Sequence, residues 1–390
     1  MEFLKGEISM LKASVQELQQ HATPLYVYNL DLLRQTLQKA KQEANKYNYH
    51  VHYALKANAN EPILAEMLQA GLGADCVSGN EVKRAIENGF KPENVVFAGV
   101  GKSDSEINYA LDQDIFCFNC ESSHELIVLN ELAEQKNKKA RIALRINPNV
   151  NANTHKYITT GLEENKFGIN AWELQDVVAL LKTLPNLELI GIHFHIGSQI
   201  TDLSVFKNLC TRVNEFQEWF VAQNIQLEHI NVGGGLGVDY YNPEQQLIPD
   251  FEAYFGLFNQ FLELRPGQQV HFELGRSLVA QCGTLVSKVL YIKKGMTTNF
   301  AILDAGMTEL IRPALYQSYH KIENLTSEAA EERYDVVGPI CESSDCFGKA
   351  VMLPETNRGD LIAIHTAGAY GEVMASGYNL REKATAIYLN

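Results

Sequence analysis

The sequence predicts an α/β fold: a (β/α)8 TIM-like barrel followed by a mainly β domain. Eight short apolar runs fall between residues 50 and 274, and most gaps between them contain an amphipathic, helix-like segment. Continuous Val, Ile, Leu and Phe runs are typical of parallel strands buried on both faces, and eight such units match the barrel. After residue 277 the helical rhythm stops and strand-like runs follow one another. An open, doubly wound sheet is the alternative arrangement of the same units.

The chain begins with elements that precede the barrel. Residues 8–20 have a helical pattern, and Leu25–Tyr28 indicates a short strand that the pattern assigns to neither domain. An amphipathic helix follows over Leu32–Asn45, with Asn29 or Asp31 as its N-terminal cap.

The barrel strands and the second domain follow from the apolar runs. The eight barrel strands are predicted at 50–55, 72–77, 94–98, 115–118, 141–146, 189–196, 228–232 and 269–274. Strands of the second domain are predicted at 283–292, 300–303, 334–337 and 360–366, and the Glu-rich stretch 324–333 is predicted to be a solvated loop or helix. The predicted domains are residues 30–276 for the barrel and residues 1–29 plus 277–390 for the β domain.

Composition narrows the class of protein. With 33 Lys and Arg against 47 Asp and Glu, the net charge of −14 disfavours nucleic acid or an anionic membrane surface as the main partner. The first twenty residues lack the apolar core of a signal peptide, and no charge-free stretch reaches membrane-spanning length. Seven scattered cysteines do not resemble a disulfide framework. We therefore expect a cytoplasmic protein with reduced thiols; the pair Cys117 and Cys120 has metal or redox spacing but no matching second pair.

Lys56 is the candidate reactive amine. It ends the first barrel strand, in the stretch His-Tyr-Ala-Leu-Lys-Ala-Asn. Desolvation there would lower the pKa of a lysine, and a less protonated amine can form a Schiff base with an aldehyde. A strand-end lysine more often extends to solvent, so this stretch alone does not establish catalysis.

Polar residues at the other strand ends change that balance, because barrel enzymes carry their catalytic groups there. The set comprises Asp75 with Ser78, Gly99, Asn119, Arg145 with Asn147, His193 with His195, Gly233, Gly234 and Gly235, and Glu273 with Arg276. So many reactive side chains at one barrel mouth indicate an enzyme site.

Three of these stretches suit an aromatic, phosphorylated cofactor. His193 and His195 are two residues apart and could bind a metal, but no convincing third ligand is present; an imidazole lying on a cofactor ring, with Ser198 holding a phosphate, uses the same atoms. Glycines 233–235 fall in the loop where barrels often bind phosphate. Glu273 can keep a pyridine nitrogen protonated, so lysine, phosphate loop and carboxylate together indicate pyridoxal 5'-phosphate.

The second domain contains two further candidate segments. Arg312 precedes the phenol of Tyr316 by four residues, which suits binding of a carboxylate. Cys341 adjoins Glu342, a thiol proton donor next to an amine-binding group. Tyr370 lies between glycine-rich turns and is a candidate phosphate contact.

These motifs resemble those of the fold type III pyridoxal phosphate decarboxylases along nearly the whole chain. The matching stretches are YALKAN at 53–58, the segment 75–81, HFHIGS at 193–198, GGGLG at 233–237, ELGR at 273–276, LIRPALY at 310–316, GPICES at 338–343 and GAYG at 368–371. The sequence departs from the family at Leu274, where the family usually has proline, and leucine is expected to loosen Arg276.

The resemblance implies roles for these residues. Lys56 would carry the cofactor, His195 would stack on its ring and Glu273 would meet its pyridine nitrogen. The remaining cofactor contacts would be Asp75, Ser198, Gly233, Gly234, Gly235, Gly275, Arg276 and Tyr370. The substrate contacts would be Arg276, Arg312, Tyr316, Glu342 and Tyr370.

The resemblance also implies a homodimer and a reaction. Cys341 and Glu342 of one subunit would act in the site of the other, with Cys341 as the catalytic acid. The implied reaction is decarboxylation of meso-2,6-diaminopimelate to L-lysine and CO2 in lysine biosynthesis, with no metal. Decarboxylation of ornithine, lysine, carboxynorspermidine or a carrier-tethered acid is the alternative, and a non-catalytic regulatory homologue is a third possibility.

Overall fold

A computed structural model of the chain describes residues 10–150 and 166–390, which form two compact units. The barrel unit comprises Leu37–Gly237 and Asp250–Gly275. The second unit comprises the described residues up to Thr36, together with Val238–Pro249 and Arg276–Asn390. Residues 238–249, which the predicted boundaries place in the barrel domain, thus group with the second unit. Residues 1–9 of the predicted β domain lie outside the described residues.

The strands and helices of the described residues are as follows. The strands are β1 (Leu25–Asn29), β2 (His50–Ala54), β3 (Gly73–Cys76), β4 (Val95–Phe97), β5 (Cys117–Cys120), β6 (Ala140–Arg145), β7 (Leu187–His193), β8 (His229–Asn231), β9 (Gln269–Leu274), β10 (Gly283–Lys294), β11 (Asn299–Leu303), β12 (Ile322–Asn324), β13 (Glu331–Val337), β14 (Cys346–Pro354), β15 (Leu361–Ile364) and β16 (Thr385–Leu389). The α-helices are α1 (Val15–Leu18), α2 (Leu30–Asn45), α3 (Glu61–Gln69), α4 (Gly79–Glu87), α5 (Asp104–Gln113), α6 (Ser123–Gln135), α7 (Leu174–Leu181), α8 (Ser204–Ala222), α9 (Phe251–Phe261), α10 (Arg276–Val279) and α11 (Arg312–Tyr316). None of these helices, which all lie within residues 10–150 and 166–390, is long and apolar enough to cross a membrane.

Strands β2 to β9 form a closed barrel in sequence order, and every neighbouring pair is parallel, including the closing pair β2 and β9. The predicted (β/α)8 barrel is therefore confirmed, and the doubly wound alternative is wrong. A parallel pair needs a long crossover, and the helices between the strands supply it.

The interior of the barrel is unusually polar. Residues two apart on a strand share a face, so His271 and Glu273 of β9 both belong to one face, as do His229 and Asn231 of β8. Near the N-terminal ends of the strands, the buried imidazoles of His52 and His271 and the partly buried imidazole of His229 form a hydrogen-bonded chain: His52 Nε2 lies 2.9 Å from His271 Nδ1, and His271 Nε2 lies 3.0 Å from His229 Nδ1. Nearer the C-terminal ends, Glu273 is the centre of a second polar layer.

The second unit is built on a mainly antiparallel sheet. Its strand order is β12-β15-β10-β11-β13-β14, and β1 pairs with β10 and, in parallel, with β16. Strand β1 thus belongs to the second unit, which settles an assignment that the sequence pattern left open. Helix α2 starts at Leu30, two residues before the predicted start, and Asn29 is its cap: Asn29 Oδ1 accepts a hydrogen bond from the Leu32 N–H at 3.0 Å, whereas Asp31 lies inside the helix.

Three expectations about the termini and the second domain need correction. The helix predicted over 8–20 is the single turn α1, with residues 8 and 9 outside the described ranges, because Ser14 caps it and the chain leaves the helix after Leu18. The stretch 324–333 is not all loop or helix: β12 ends at Asn324 and Glu331 begins β13, where β14 pairs along it. Strands β12, β14 and β16 were not predicted, because they are short or half-exposed and lack a continuous apolar run.

Candidate active site

Lys56 stands at the C-terminal end of the first barrel strand. A single turn, Leu55–Ala57, follows β2 and carries the side chain, whose Nζ lies 2.6 Å from Oδ2 of Asp75 at the end of β3. The Lys56 side chain is 34% exposed, whereas Asp75 is fully buried. The amine is therefore accessible at the barrel mouth and held by a carboxylate from the neighbouring strand.

Asp75 is an unusual carboxyl group. Burial raises its pKa, the nearby charge of Glu273 raises it further, and Lys56 opposes both effects. Among the residues that the structure describes, its second oxygen, Oδ1, is buried without a hydrogen-bond partner. Buried oxygens usually have partners, so this atom is placed to accept a hydrogen bond from a bound group.

Glu273 is held by three strands. Its Oε1 accepts hydrogen bonds from Asn119 Nδ2 at 3.0 Å and Asn231 Nδ2 at 2.7 Å, and its Oε2 lies 2.9 Å from His193 Nε2. Burial raises the pKa of this carboxyl, but the charges of His193 and Lys56 and the hydrogen bond from His193 outweigh it, so the net pKa lies below the usual range. The result is an ionised, oriented acceptor inside the barrel mouth.

The glycine loop after β8 packs directly on neighbouring backbone. A Cβ on Gly234 would lie 1.9 Å from the carbonyl oxygen of Glu273, and one on Gly233 would lie 2.2 Å from that of Phe194. The Gly235 carbonyl accepts the Ile200 N–H at 2.8 Å, which joins this loop to the segment that contains Ser198. The two segments predicted to bind phosphate are therefore neighbours, and no side chain can fill the loop.

Strand β7 ends at His193, three residues before the predicted strand end at 196, so His195 lies just beyond the strand. Burial lowers its pKa well below the ordinary value, and the positive charges of Arg145 and Lys56 lower it further. A neutral imidazole results, which suits packing against an aromatic ring. Arg145 itself is paired with the buried Glu121, at 2.8 Å, so it stabilises the barrel mouth.

Other predicted residues at the mouth have clear structural roles. Ser78 caps α4 by accepting the Glu81 N–H at 3.2 Å. Gly275 directly follows β9 and is buried. Leu274, at the position where the family usually has proline, lies within β9, in register with Tyr53 of β2.

In the second unit, Arg276 and Arg312 meet at one phenol. Arg276 Nη1 donates to the Tyr240 hydroxyl at 2.5 Å, and Arg312 Nη1 donates to the same oxygen at 2.9 Å. Arg312 is 4% exposed and also contacts His320 Nε2 at 3.0 Å. The Arg276 guanidinium lies over the ring of Tyr370, 4.8 Å from its centroid. We call Tyr240, Arg276, Arg312 and His320 the arginine cluster.

The arginine cluster carries excess positive charge. No acidic group of the described residues forms an ion pair with Arg312, and its buried Nε has no hydrogen-bond partner there. Burial lowers the pKa of Arg312, which the phenol of Tyr240 opposes, and His320 is kept neutral because burial and Arg312 lower its pKa to about 3. Arg312 is therefore a buried cation that forms no ion pair within the described part of the chain, which suits it to binding an anion.

Cys341 and Glu342 lie on an exposed loop of the second unit. The Cys341 N–H donates to Asn379 Oδ1 at 3.1 Å, and Glu342 Oε1 accepts from the Tyr378 hydroxyl at 2.7 Å. Within the described residues neither side chain hydrogen-bonds to Arg312 or to the partly buried Tyr316 at the end of α11. Among the described residues of this chain, no hydrogen bond therefore joins Cys341 or Glu342 to these two predicted substrate residues.

Sequence reasoning missed several residues of these clusters. The sequence pattern assigns no role to Tyr240, His320 or Asn231. The position of Asn231, at the end of a barrel strand, was an available signal. The sequence around Tyr240 contains no such signal, because a hydroxyl that accepts hydrogen bonds from two arginines is recognisable only in the folded chain.

Comparison with known proteins identifies the family. Residues 30–280 match the family model described as pyridoxal-dependent decarboxylase, pyridoxal binding domain. The diaminopimelate decarboxylase of Bacteroides thetaiotaomicron is 59% identical over 361 residues, covering 92% of this chain and 94% of that protein. The crystal structure of diaminopimelate decarboxylase from Helicobacter pylori complexed with L-lysine has a TM-score of 0.90 at 41% identity, covering 96% of this chain and 93% of that one. The diaminopimelate decarboxylase of M. jannaschii in co-complex with L-lysine gives a TM-score of 0.88 at 34% identity, covering 96% and 88% of the two chains. This chain belongs to the pyridoxal-dependent decarboxylases, in the group that contains these diaminopimelate decarboxylases.

Proposed function

We propose that this protein is a pyridoxal 5'-phosphate-dependent decarboxylase that converts meso-2,6-diaminopimelate into L-lysine and CO2, the last step of lysine biosynthesis. The observation that carries the proposal is the arrangement of Lys56, Asp75 and Glu273 at the ends of three adjoining barrel strands, in a chain of this family. The buried Arg312, which forms no ion pair within the described residues, supports a substrate with a second carboxylate.

The residues at the barrel mouth fit pyridoxal phosphate. Lys56 provides an accessible amine, Glu273 an ionised acceptor for a pyridine N–H, and His195 a neutral ring. The loop of Gly233–Gly235 presents backbone where side chains are sterically excluded, beside the segment of Ser198. The buried Oδ1 of Asp75 is a hydrogen-bond acceptor that the described residues do not satisfy. Lys56 would hold the cofactor covalently, Glu273 its ring nitrogen, and Ser198 with the glycine loop its phosphate.

Different residues of the chain have different roles in the proposed reaction. When bound, pyridoxal phosphate supplies an electron sink for the electron pair left as CO2 departs. Glu273 stays ionised because Asn119, Asn231 and His193 stabilise its charge, so it can retain a proton on the ring nitrogen. Cys341 donates the proton that replaces the carboxylate at Cα, and Glu342 binds the distal amine.

Recognition of the distal carboxylate is assigned to the second unit. Arg276 and Arg312 provide the positive charge, and Tyr316 and Tyr370 complete the contacts. A buried cation needs a counter-charge, and a diamine precursor such as ornithine has no distal carboxylate to offer Arg312. Substrate charge therefore favours diaminopimelate over the simpler amino acids.

The proposal includes a homodimer with shared sites and a cytoplasmic location. Cys341 and Glu342 are exposed, and within one chain the Glu342 carboxylate accepts a hydrogen bond from the Tyr378 hydroxyl while the Cys341 N–H donates to Asn379. Action in the site of a second subunit would give both side chains a function. Seven scattered cysteines suit a reducing compartment.

Substrate competition tests the function directly. Purified protein loaded with pyridoxal phosphate is incubated separately with meso-diaminopimelate, L-ornithine and L-lysine, and CO2 release is measured. We expect CO2 and an equal amount of L-lysine from diaminopimelate alone. Release from ornithine only would overturn the substrate assignment, and release from none of the three would refute the enzymatic function.

A further inference from the structure

The arginine cluster brings two like charges to one buried oxygen. Arg276 Nη1 and Arg312 Nη1 donate to the hydroxyl of Tyr240 at 2.5 and 2.9 Å. Two guanidinium groups at this separation repel each other, and burial strengthens the repulsion. An oxygen that accepts from both is the group that holds them together.

Tyr240 is fixed independently of its hydroxyl. It is 6% exposed, its ring meets the His320 ring edge-on at 5.0 Å, and the Arg312 guanidinium lies 4.8 Å from its centroid. His320 Nδ1 donates to the His365 carbonyl at 2.8 Å, so its Nε2 is free to accept from Arg312. The phenol and the imidazole therefore define the position of Arg312 from two sides. Burial raises the pKa of Tyr240, but the two arginines more than offset this and lower it below that of free tyrosine, which strengthens the oxygen as an acceptor.

We propose that Tyr240 is a positioning residue that determines specificity: its hydroxyl holds Arg276 and Arg312 as a paired, doubly positive site for the distal carboxylate of the substrate. This inference rests on the proposed function and deepens it. Tyr240 touches neither the reacting carbon nor the leaving carboxylate in this scheme. Its loss should weaken binding of the distal end and leave the chemical step nearly unchanged.

The test compares Tyr240→Phe with Tyr241→Phe in the loaded enzyme. Both changes remove one hydroxyl, but Tyr241 is 66% exposed and stacks on Tyr319 at 4.4 Å, outside the cluster. For Tyr240→Phe we expect the KM for meso-diaminopimelate and the Kd for L-lysine to rise about 10-fold, the effect of a hydrogen bond to a charged group, with kcat within about 2-fold. The Kd for cadaverine, which has no carboxylate, should not change, and Tyr241→Phe should match the wild type throughout.

The possible outcomes separate this inference from the proposed function. If wild-type enzyme releases no CO2 from diaminopimelate, the function fails and the inference fails with it. If wild type is active and Tyr240→Phe keeps its KM and its Kd for L-lysine, the inference alone is overturned. Weaker retention of pyridoxal phosphate with unchanged KM would also overturn it, because the pair would then serve the cofactor phosphate. A thermal unfolding midpoint and a cadaverine Kd equal to those of wild type establish that the Tyr240→Phe variant is folded.

Discussion

The histidine chain of the barrel interior should make the barrel sensitive to mild acid. His52 Nδ1 lies 3.1 Å from the Asn94 carbonyl and must donate to it, so His52 Nε2 accepts from His271, and His271 Nε2 in turn accepts from His229. In this arrangement each imidazole is neutral. A proton added to His52 or His271 would place two donors face to face.

The magnitude follows from His52. Burial lowers its pKa from 6.5 to about 4, against the opposing charge of Glu273 and with His50 and His229 acting in the same direction as burial. Because the folded pKa is below the unfolded one, the unfolded chain binds more protons, and the stabilisation present above about pH 6.5 is lost as the pH falls. Preferential protonation of His52 in the unfolded chain should by itself lower the free energy of unfolding of the barrel by about 1 kcal/mol at about pH 5.5 and by about 3 kcal/mol at about pH 4.5.

The measurement is the free energy of opening of the barrel strands as a function of pH. Hydrogen exchange of amides in β2 and β9 reports this unit separately from the second one. Replacing His52 with Gln, which retains a donor and an acceptor, should flatten the pH dependence between about pH 6.5 and 4.5 by about 2 kcal/mol or more. His124→Gln, at an exposed position of the same unit, should keep the wild-type slope. Parallel curves for wild type and His52→Gln would show that the buried chain is not the acid-sensitive element.

Three further substitutions test the site and its supports. Lys56→Ala should lose both the visible absorbance of covalently bound cofactor and turnover, and an active variant without that band would exclude Lys56 as the reactive amine. Gly234→Ala should destabilise the barrel by more than about 3 kcal/mol, because its Cβ would lie 1.9 Å from a carbonyl oxygen. Gly101→Ala is the control, because a Cβ at Gly101 would have no atom within 4 Å. Equal urea midpoints for the two variants would contradict the packing argument. Asp345→Asn should lower kcat about 10-fold while the cofactor stays bound. Asp345 accepts hydrogen bonds from the Met307 and Ile340 N–H groups at 2.6 and 2.7 Å, and so orders the loop before Cys341. An unchanged kcat would argue against that role.

Much of the candidate site was predictable because of where barrels place chemistry. Lys56, Asp75, His195, the glycine loop and Glu273 each lie at or just beyond the C-terminal end of a strand whose apolar run is visible in the sequence, and parallel strands bring those ends together. Their roles in binding cofactor stay predictions, but their common location in the barrel unit is a property of the fold.

Contacts that depend on side-chain direction were not predictable. Asn231 and Asn119 resemble ordinary strand-end amides until the barrel closes and both reach Glu273. The strands of the second unit were harder still, since half-exposed strands such as β14 and β16 lack the continuous apolar run that marks a buried strand.

The sequence by itself determined the barrel, the order of its strands and the residues at its mouth, because buried parallel strands require long apolar runs and crossover helices. Only the tertiary structure decided the partners: that Lys56 faces Asp75, that three strands hold Glu273, and that Tyr240 receives two arginines. Those pairings join residues far apart in the chain, and sequence spacing carries no information about which of them a closed barrel or a twisted sheet brings within hydrogen-bonding distance.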